Sequence, residues 1–271
     1  MSDVLILAAY LLFGTFFFAG RQKKYAAICG WTLIVINLFT DVPAYLKADN
    51  FLYPALAIAS LPFLVITVRH LIRDDPVVLQ LSKTAAVAMI IYVPFAFVPV
   101  LQDALIIAVV NQAFWIIQAF GHHPQMPAWN IIMENGFANQ IIVGCTGIAA
   151  ISMMLGVAAG VPRLSWRQGT CAFLILVPIL YVLNLVRVAV VFIAVSDTWF
   201  SFLPDLSSNS GLGASDFFWA HNVFAEALAI MALLAITLVL FRIIPGLAVF
   251  ARELVVLYIG SITAFLKGEP A

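Results

Sequence analysis

Long apolar runs, one after another, constrain this chain more than any other feature of its sequence. Residues 4–19, 25–40, 51–70, 84–101, 140–161, 169–195 and 218–244 each pass with few charges. About 20 such residues carry an α-helix across ~30 Å of hydrocarbon. Within lipid every backbone N–H and C=O needs a partner inside the protein, which leaves helices and closed barrels. A barrel would show segments of roughly ten residues with alternating polarity, and the runs here do not alternate. The composition agrees: 64% of residues are hydrophobic and 10% charged, where a soluble domain carries about 25% charge. The expected fold is therefore all-α, a polytopic transmembrane helix bundle of seven or eight spans. Residues 4–19 follow Met1-Ser2-Asp3 without a basic leader, so they read as a retained span rather than a cleaved signal.

Two apolar pieces are less clear. In residues 104–120, Asn111, Gln112 and Gln118 interrupt the run. Residues 247–266 carry Arg252 and Glu253 near their start. Basic residues favour the cytoplasmic side of a membrane. If the N-terminus is outside and residues 104–120 do not cross, then Arg21, Lys23, Lys24, Arg69, Arg73, Lys83, Arg163, Arg167 and Arg242 all fall inside. Residues 104–120 are thus expected as an interfacial or re-entrant helix on the outer face. Residues 247–266 either lie on the inner surface or form an eighth span. One integral membrane domain covers 1–271: N-terminal spans in 1–103, the interfacial helix and a polar outer loop in 104–139, the spans bearing the site in 140–244, and a terminal apolar segment in 245–271. A net charge of zero gives no pointer to nucleic acid.

Three reactive residues arrive at one depth. With a rise of ~1.5 Å per residue, Cys145 lies about 27 Å from Arg163, Arg187 about 30 Å from Arg167, and His221 about 31 Å from Arg242. The other cysteines stay near the basic ends: Cys171 is about 6 Å from Arg167, and Cys29 about 7 Å from Lys24. Each residue has a plain explanation. Cys145 can be a small packing residue beside Gly144 and Gly147, Arg187 can reach outward to headgroups, and His221 can sit at the interface. Their coincidence on three separate helices argues for chemistry. A thiol becomes a good nucleophile when a base or a cation stabilises its thiolate. His221 can serve as that base and later as the acid. Arg187 keeps its proton and can hold the thiolate or an oxyanion. Asn184, one turn before Arg187, can orient it, and Glu226 is a candidate partner for the same guanidinium. Asn222 and Glu226 are four residues apart on one helix face.

Three short motifs on consecutive spans resemble the exosortase/archaeosortase family, most closely its archaeosortase A branch. They are Gly144-Cys145-Thr146-Gly147, Leu183-Asn184-Leu185-Val186-Arg187 and His221-Asn222-Val223-Phe224-Ala225-Glu226. The resemblance implies Cys145, Arg187 and His221 as the catalytic set of a membrane-embedded cysteine transpeptidase. It implies as partners secreted proteins, such as surface-layer glycoproteins, with a tripartite C-terminal signal: a motif, an apolar helix and a basic end. A membrane lipid is a possible acceptor, and the site would face outward across the cell membrane. No cofactor and no metal site is expected. Two other classes compete. A transporter or channel subunit would use Arg187, His221 and Glu226 as an intramembrane polar path. A scaffold would offer the Gly156-X-X-X-Gly160 seam to a partner helix. His122 and His123 read as a solvated pair in the outer loop.

Overall fold

A computed structural model describes residues 2–162, 164–209 and 211–267, without the side chains of Ser2 and Asp3. Nine helices and a small sheet make up the described chain. In order they are α1 (Ser2–Thr15), α2 (Lys23–Lys47), α3 (Leu52–Ile72), α4 (Pro76–Phe97), α5 (Pro99–Ala119), strands β1 (Gln125–Ala128), β2 (Ile131–Glu134) and β3 (Phe137–Gln140), α6 (Ile148–Gly160), α7 (Trp166–Ser196), α8 (Ala214–Ile243) and α9 (Pro245–Leu266). Among the described residues, seven helices are long and apolar enough to cross a membrane: the one at Gly20–Lys47, then α3, α4, α5, α7, α8 and α9. The protein is a polytopic helical membrane bundle.

The seven are not the seven runs picked out in the sequence. α1 has 14 residues and α6 has 13, both short of a full crossing. The run at 140–161 divides into a strand, a tight turn and α6. Residues 104–120 belong almost wholly to α5, one continuous helix that starts at Pro99 directly after α4. Its Ile106, Val109, Ala113 and Ile117 are buried against Leu185, Val188, Ala189 and Phe192 of α7. Asn111, Gln112 and Gln118 point to the exposed flank. α2 continues past Asp41 and Pro43 to Lys47, and Asn37 meets the Asp41 carboxylate one turn away at 2.9 Å.

Local signals set the helix starts. Asp75 accepts from the Val77 amide with Pro76 at the first helical position of α4, as N-terminal geometry favours. Ser165 and Gln168 form a reciprocal capping box on α7.

Ties between helix ends define two faces. Lys24 at the start of α2 bonds the Ile72 carbonyl and pairs with Asp74, beyond the end of α3. Gln168 at the start of α7 donates to the Ile243 carbonyl at the end of α8. Arg21, Lys23, Lys24, Arg69, Arg73, Arg167 and Arg242 therefore gather on one basic face. Arg163, the reference point for the depth of Cys145, lies outside the described residues. α9 begins with Gly246 against Val161 at the end of α6. Its Ser261 meets His70 near the end of α3. Both contacts lie at the basic face, so α9 runs along that face rather than across to the opposite one.

The Gly156–Gly160 seam is already occupied. A Cβ on Gly156 would stand 2.7 Å from the Thr84 carbonyl oxygen, and one on Gly160 would collide with the Thr84 hydroxyl. The seam joins α6 to α4 inside the bundle, so it is not offered to a partner helix.

The polar loop expected at 121–139 is a three-stranded antiparallel sheet in the order β1-β2-β3. Asn135 and Gly136, both at positive φ, make the β2–β3 turn. Ile132 and Ile141 enter the α5–α7 core. Asn135 Nδ2 donates to the carbonyl and hydroxyl of Ser196 at the far end of α7. His122 is not a solvated loop residue. Its Nδ1 meets Glu134 at 3.0 Å and its Nε2 lies 3.6 Å from Asp197, which fastens the sheet to α7.

Candidate active site

Cys145 sits in the 3-10 turn Val143–Thr146 that leads into α6, not in the helix itself. Two neighbours shape the turn. The buried Thr146 hydroxyl donates to the Val143 carbonyl at 2.7 Å and accepts from the Ile148 amide. Gly147 adopts φ +76, where side chains are strained. A Cβ there would also stand 2.9 Å from Cβ and Cγ of Asn184. This close approach lets Asn184 Nδ2 donate to the Cys145 carbonyl at 2.8 Å. Asn184 therefore holds the cysteine turn against α7, a different task from orienting Arg187.

One turn further along α7, Arg187 Nη2 donates to His221 Nε2 at 3.1 Å. Guanidinium nitrogens only donate, so His221 accepts at Nε2 and carries its proton on Nδ1. Nδ1 then donates to Asn222 Oδ1 at 2.8 Å. The Asn222 orientation is consistent, because its Nδ2 donates to the carbonyls of Ala48 and Asp49. The imidazole lies flat on Phe217, ring centroids 4.8 Å apart. Cys145, Arg187 and His221 thus collect within about a turn of α7, as the depth estimate expects. Cys145 reaches the pair through Asn184 and its own backbone, and no hydrogen bond joins its sulfur to Arg187 or His221 among the described residues. Cys29 and Cys171 lie near the basic-face ends of α2 and α7, and all three thiols are free.

His221 and Asn222 fall in a π-helical stretch, Phe218–Ala225, inside α8. Such wide turns place extra residues on one side of a helix and concentrate at functional sites. The α2–α3 connection holds this stretch in place. Asn50 caps α3 by accepting from the Leu52 amide, and its amide nitrogen donates to Glu226. Glu226 consequently pairs with Asn50 rather than directly with Arg187 or Asn222, although Arg187 lies within Coulomb range. Asp49, buried and at φ +55, accepts from both hydroxyls of Ser207 and Ser208 and from Asn209. The Ser208 hydroxyl, ahead of the other donors, holds the Asp49 carboxyl below the usual carboxylate range. Asp49, Asn50, Ser207 and Ser208 were not singled out in the sequence. Asn50 directly before an apolar run is a recognisable helix cap, but nothing local marks its bond to Glu226.

An apolar groove of about 570 Å³ opens beside the pair. Arg187 and Asn184 supply its polar wall. Trp199 and Phe200 line it at one end, and Leu180 and Leu233 line it further down α7 and α8. Small residues such as Ala225, Ala229 and Ala232 keep its α8 side low.

Residues 4–203 match the transmembrane exosortase family. That segment contains Cys145 and Arg187 and stops before His221. Archaeosortase A of Haloferax volcanii is 24% identical, the alignment taking in 96% of this chain and 95% of that protein. Archaeosortase A of Natronomonas pharaonis is 28% identical over 67% of this chain and 62% of its own length. No solved structure matches.

Proposed function

The chain belongs to the transmembrane exosortase family, and from that footing we propose that it is a membrane-embedded cysteine transpeptidase. It cleaves the C-terminal sorting signal of secreted surface proteins at the outer face of the cell membrane and passes them to a lipid acceptor. Its nucleophile is Cys145, its acid–base group His221, and its electrostatic stabiliser Arg187. The observation that carries this reading is the junction on α7. Asn184 grips the Cys145 carbonyl, and one turn away Arg187 bonds the acceptor nitrogen of a neutral imidazole.

The chemistry follows from those protonation states. Neutral His221 has its lone pair at Nε2, now occupied by Arg187. A substrate carbonyl entering beside Arg187 offers the guanidinium a better acceptor as its oxygen becomes anionic. Nε2 is then released to take the Cys145 proton. The thiolate sulfur bonds to the carbonyl carbon, and the C–N bond to the downstream segment breaks. The proton on Nε2 goes to the departing amine, leaving a thioester on Cys145. An amine acceptor repeats the steps in reverse order, entering as the nucleophile while sulfur leaves with the proton. Asn222 acts as a positioning residue, because its Oδ1 keeps the Nδ1–H tautomer in place.

The groove fits the apolar part of such a signal. It runs from Trp199 and Phe200 past Arg187 to Leu180 and Leu233 with a wall of leucine and alanine, and the same wall makes a polar conduction path the weaker reading. The test is mass spectrometry of the C-terminus of a secreted protein bearing a tripartite signal, in cells with the wild-type chain or Cys145→Ala. A trimmed or lipid-modified terminus in wild type and an intact one in Cys145→Ala is expected. A terminus processed equally in both would overturn the proposal.

A further inference from the structure

At the basic face we propose a second active site, a Ser261–His70–Asp75 triad that hydrolyses carboxylic esters whose acyl part is a hydrocarbon chain. It shares no residue with the cysteine site and is independent of that chemistry. His70 lies in the last turn of α3, and Asp75 is the N-cap of α4. Asp75 Oδ2 meets His70 Nδ1 at 2.9 Å, and its Oδ1 accepts from the Val77 amide at 2.9 Å, so both oxygens of the carboxylate are held. A carboxylate at Nδ1 keeps the imidazole proton there and leaves Nε2 as an acceptor. Ser261 of α9 stands 3.2 Å from that nitrogen and donates to it. The three groups thus take the roles of nucleophile, base and orienting acid, at the separations that such a relay requires.

Two observations set Ser261 apart from a serine that only ties helices together. Other helical hydroxyls return to their own backbone: Thr263 on α9 bonds the Ile259 and Gly260 carbonyls, and Thr67 on α3 bonds the Phe63 carbonyl. Among the described residues Ser261 makes no such bond, and its hydroxyl meets His70 instead. The tie between α9 and α3 is already made by Tyr258, whose hydroxyl meets Thr67 at 2.6 Å and whose ring stacks on Phe63 at 5.2 Å. The second observation is a cavity of about 190 Å³ that both His70 and Ser261 line. Pro62, Val65, Ile66 and Phe265 make its wall apolar, and Arg69 lines it beside His70. Val65 and Phe265 are more than half exposed, so the cavity opens toward lipid rather than into a protein core. A peptide would bring amide groups for which the apolar wall has no partner. A hydrocarbon chain fits it, with the ester carbonyl at Ser261 and the oxyanion held by Arg69.

The steps balance without a redox partner. Ser261 Oγ bonds to the acyl carbon as its proton passes to Nε2. The ester C–O bond breaks, and the departing alcohol takes that proton. Water, deprotonated by Nε2, attacks the acyl-serine, and Oγ leaves with the proton. The products are a carboxylic acid and an alcohol.

The experiment uses the purified full chain carrying Cys145→Ala, so that this thiol cannot contribute. A fluorophosphonate probe bonds to an activated serine Oγ, and peptide mass spectrometry locates it. Labelling of Ser261 in the folded chain, lost on heat denaturation, is expected. His70→Gln should slow labelling by about a hundredfold or more. The second readout is hydrolysis of p-nitrophenyl butyrate and acetate. Two further methylenes in an apolar slot should favour butyrate about tenfold in kcat/KM, and Ser261→Ala should abolish its turnover. Asp75 is a positioning residue, so Asp75→Asn should lower kcat by about a hundredfold or more with KM within about twofold. No adduct on Ser261 in the folded chain, or an adduct formed equally fast in His70→Gln, overturns the site. So does an adduct without ester turnover, or turnover that survives Ser261→Ala. Labelling of the chain with its triad intact decides the matter even if a triad variant does not purify.

Discussion

Gly144 and Gly147 both lie within two residues of Cys145, and alanine at the two positions should have opposite outcomes. Gly144 has ordinary φ, and an added Cβ meets nothing nearer than Ile142 Cδ1 at 4.0 Å. Gly147 is at φ +76, and its Cβ would stand 2.9 Å from two carbons of Asn184. Left-handed backbone costs an alanine about 1–2 kcal/mol, and overpacking a fixed neighbour adds about 1–3 kcal/mol. Asn184 cannot yield cheaply, because its Cβ is set by the 31-residue helix α7. The cheaper relief is a shift of the cysteine turn away from α7, which gives up the Asn184–Cys145 bond, a loss of about 1 kcal/mol. A displacement of about 1 Å at a reacting atom lowers rate by about a hundredfold. The assay is the rate of signal cleavage in isolated membranes, normalised to the amount of enzyme inserted. Gly147→Ala should fall by about two orders of magnitude at near-normal abundance, and Gly144→Ala should stay within about twofold. Comparable loss in both, or near-normal turnover by Gly147→Ala, would refute the clamp between Gly147 and Asn184.

Other consequences are open to measurement. Arg187→Lys should be nearly as damaging as Arg187→Ala, because an ammonium lacks the planar fork that serves imidazole and oxyanion in turn; near-normal turnover would mean that charge suffices. A membrane-impermeant thiol reagent on intact cells should modify Cys145 before Cys29 or Cys171, since Cys145 alone lies away from the basic-face ends of the helices. Preferential labelling of Cys29 or Cys171 from outside would reverse the topology. Asp49, whose folded-state pKa is lowered, stabilises the chain fully above its ordinary value of about 4, and that contribution disappears as pH falls through the lowered one. Asp49→Asn should remove this part of the acid dependence of melting, and an unaltered melting profile between neutral and acid pH would show that the latch carries no stability.

The depth coincidence of Cys145, Arg187 and His221 was legible because it needs only the helical rise and the positions of basic residues. Their direct ties were not. Spacing within α7 points Asn184 toward Arg187, yet its partner is a backbone carbonyl on another element, which that spacing cannot disclose. The same holds for Glu226, whose bond to Asn50 spans most of the chain. The sheet did leave a signal, Asn135-Gly136 between two four-residue strands, but its polar setting hid the hairpin. α1 and α6 looked like full spans because hydropathy does not register the turn at Val143–Thr146 or the break after Thr15. The apolar groove depends on which alanines of α8 face α7, and that emerged only with the π-helical stretch that resets the phase of α8.

As the proposed nucleophile, the Cys145 sulfur must form a bond to the substrate carbonyl. The most direct measurement is peptide mass spectrometry of the purified chain, acid-quenched during turnover of a signal-bearing substrate, with and without hydroxylamine. The predicted result is an acyl adduct on the Cys145 peptide that hydroxylamine removes, absent in Cys145→Ala and from the peptides bearing Cys29 and Cys171. Steady processing with Cys145 unmodified, or an adduct on a different residue, would contradict it.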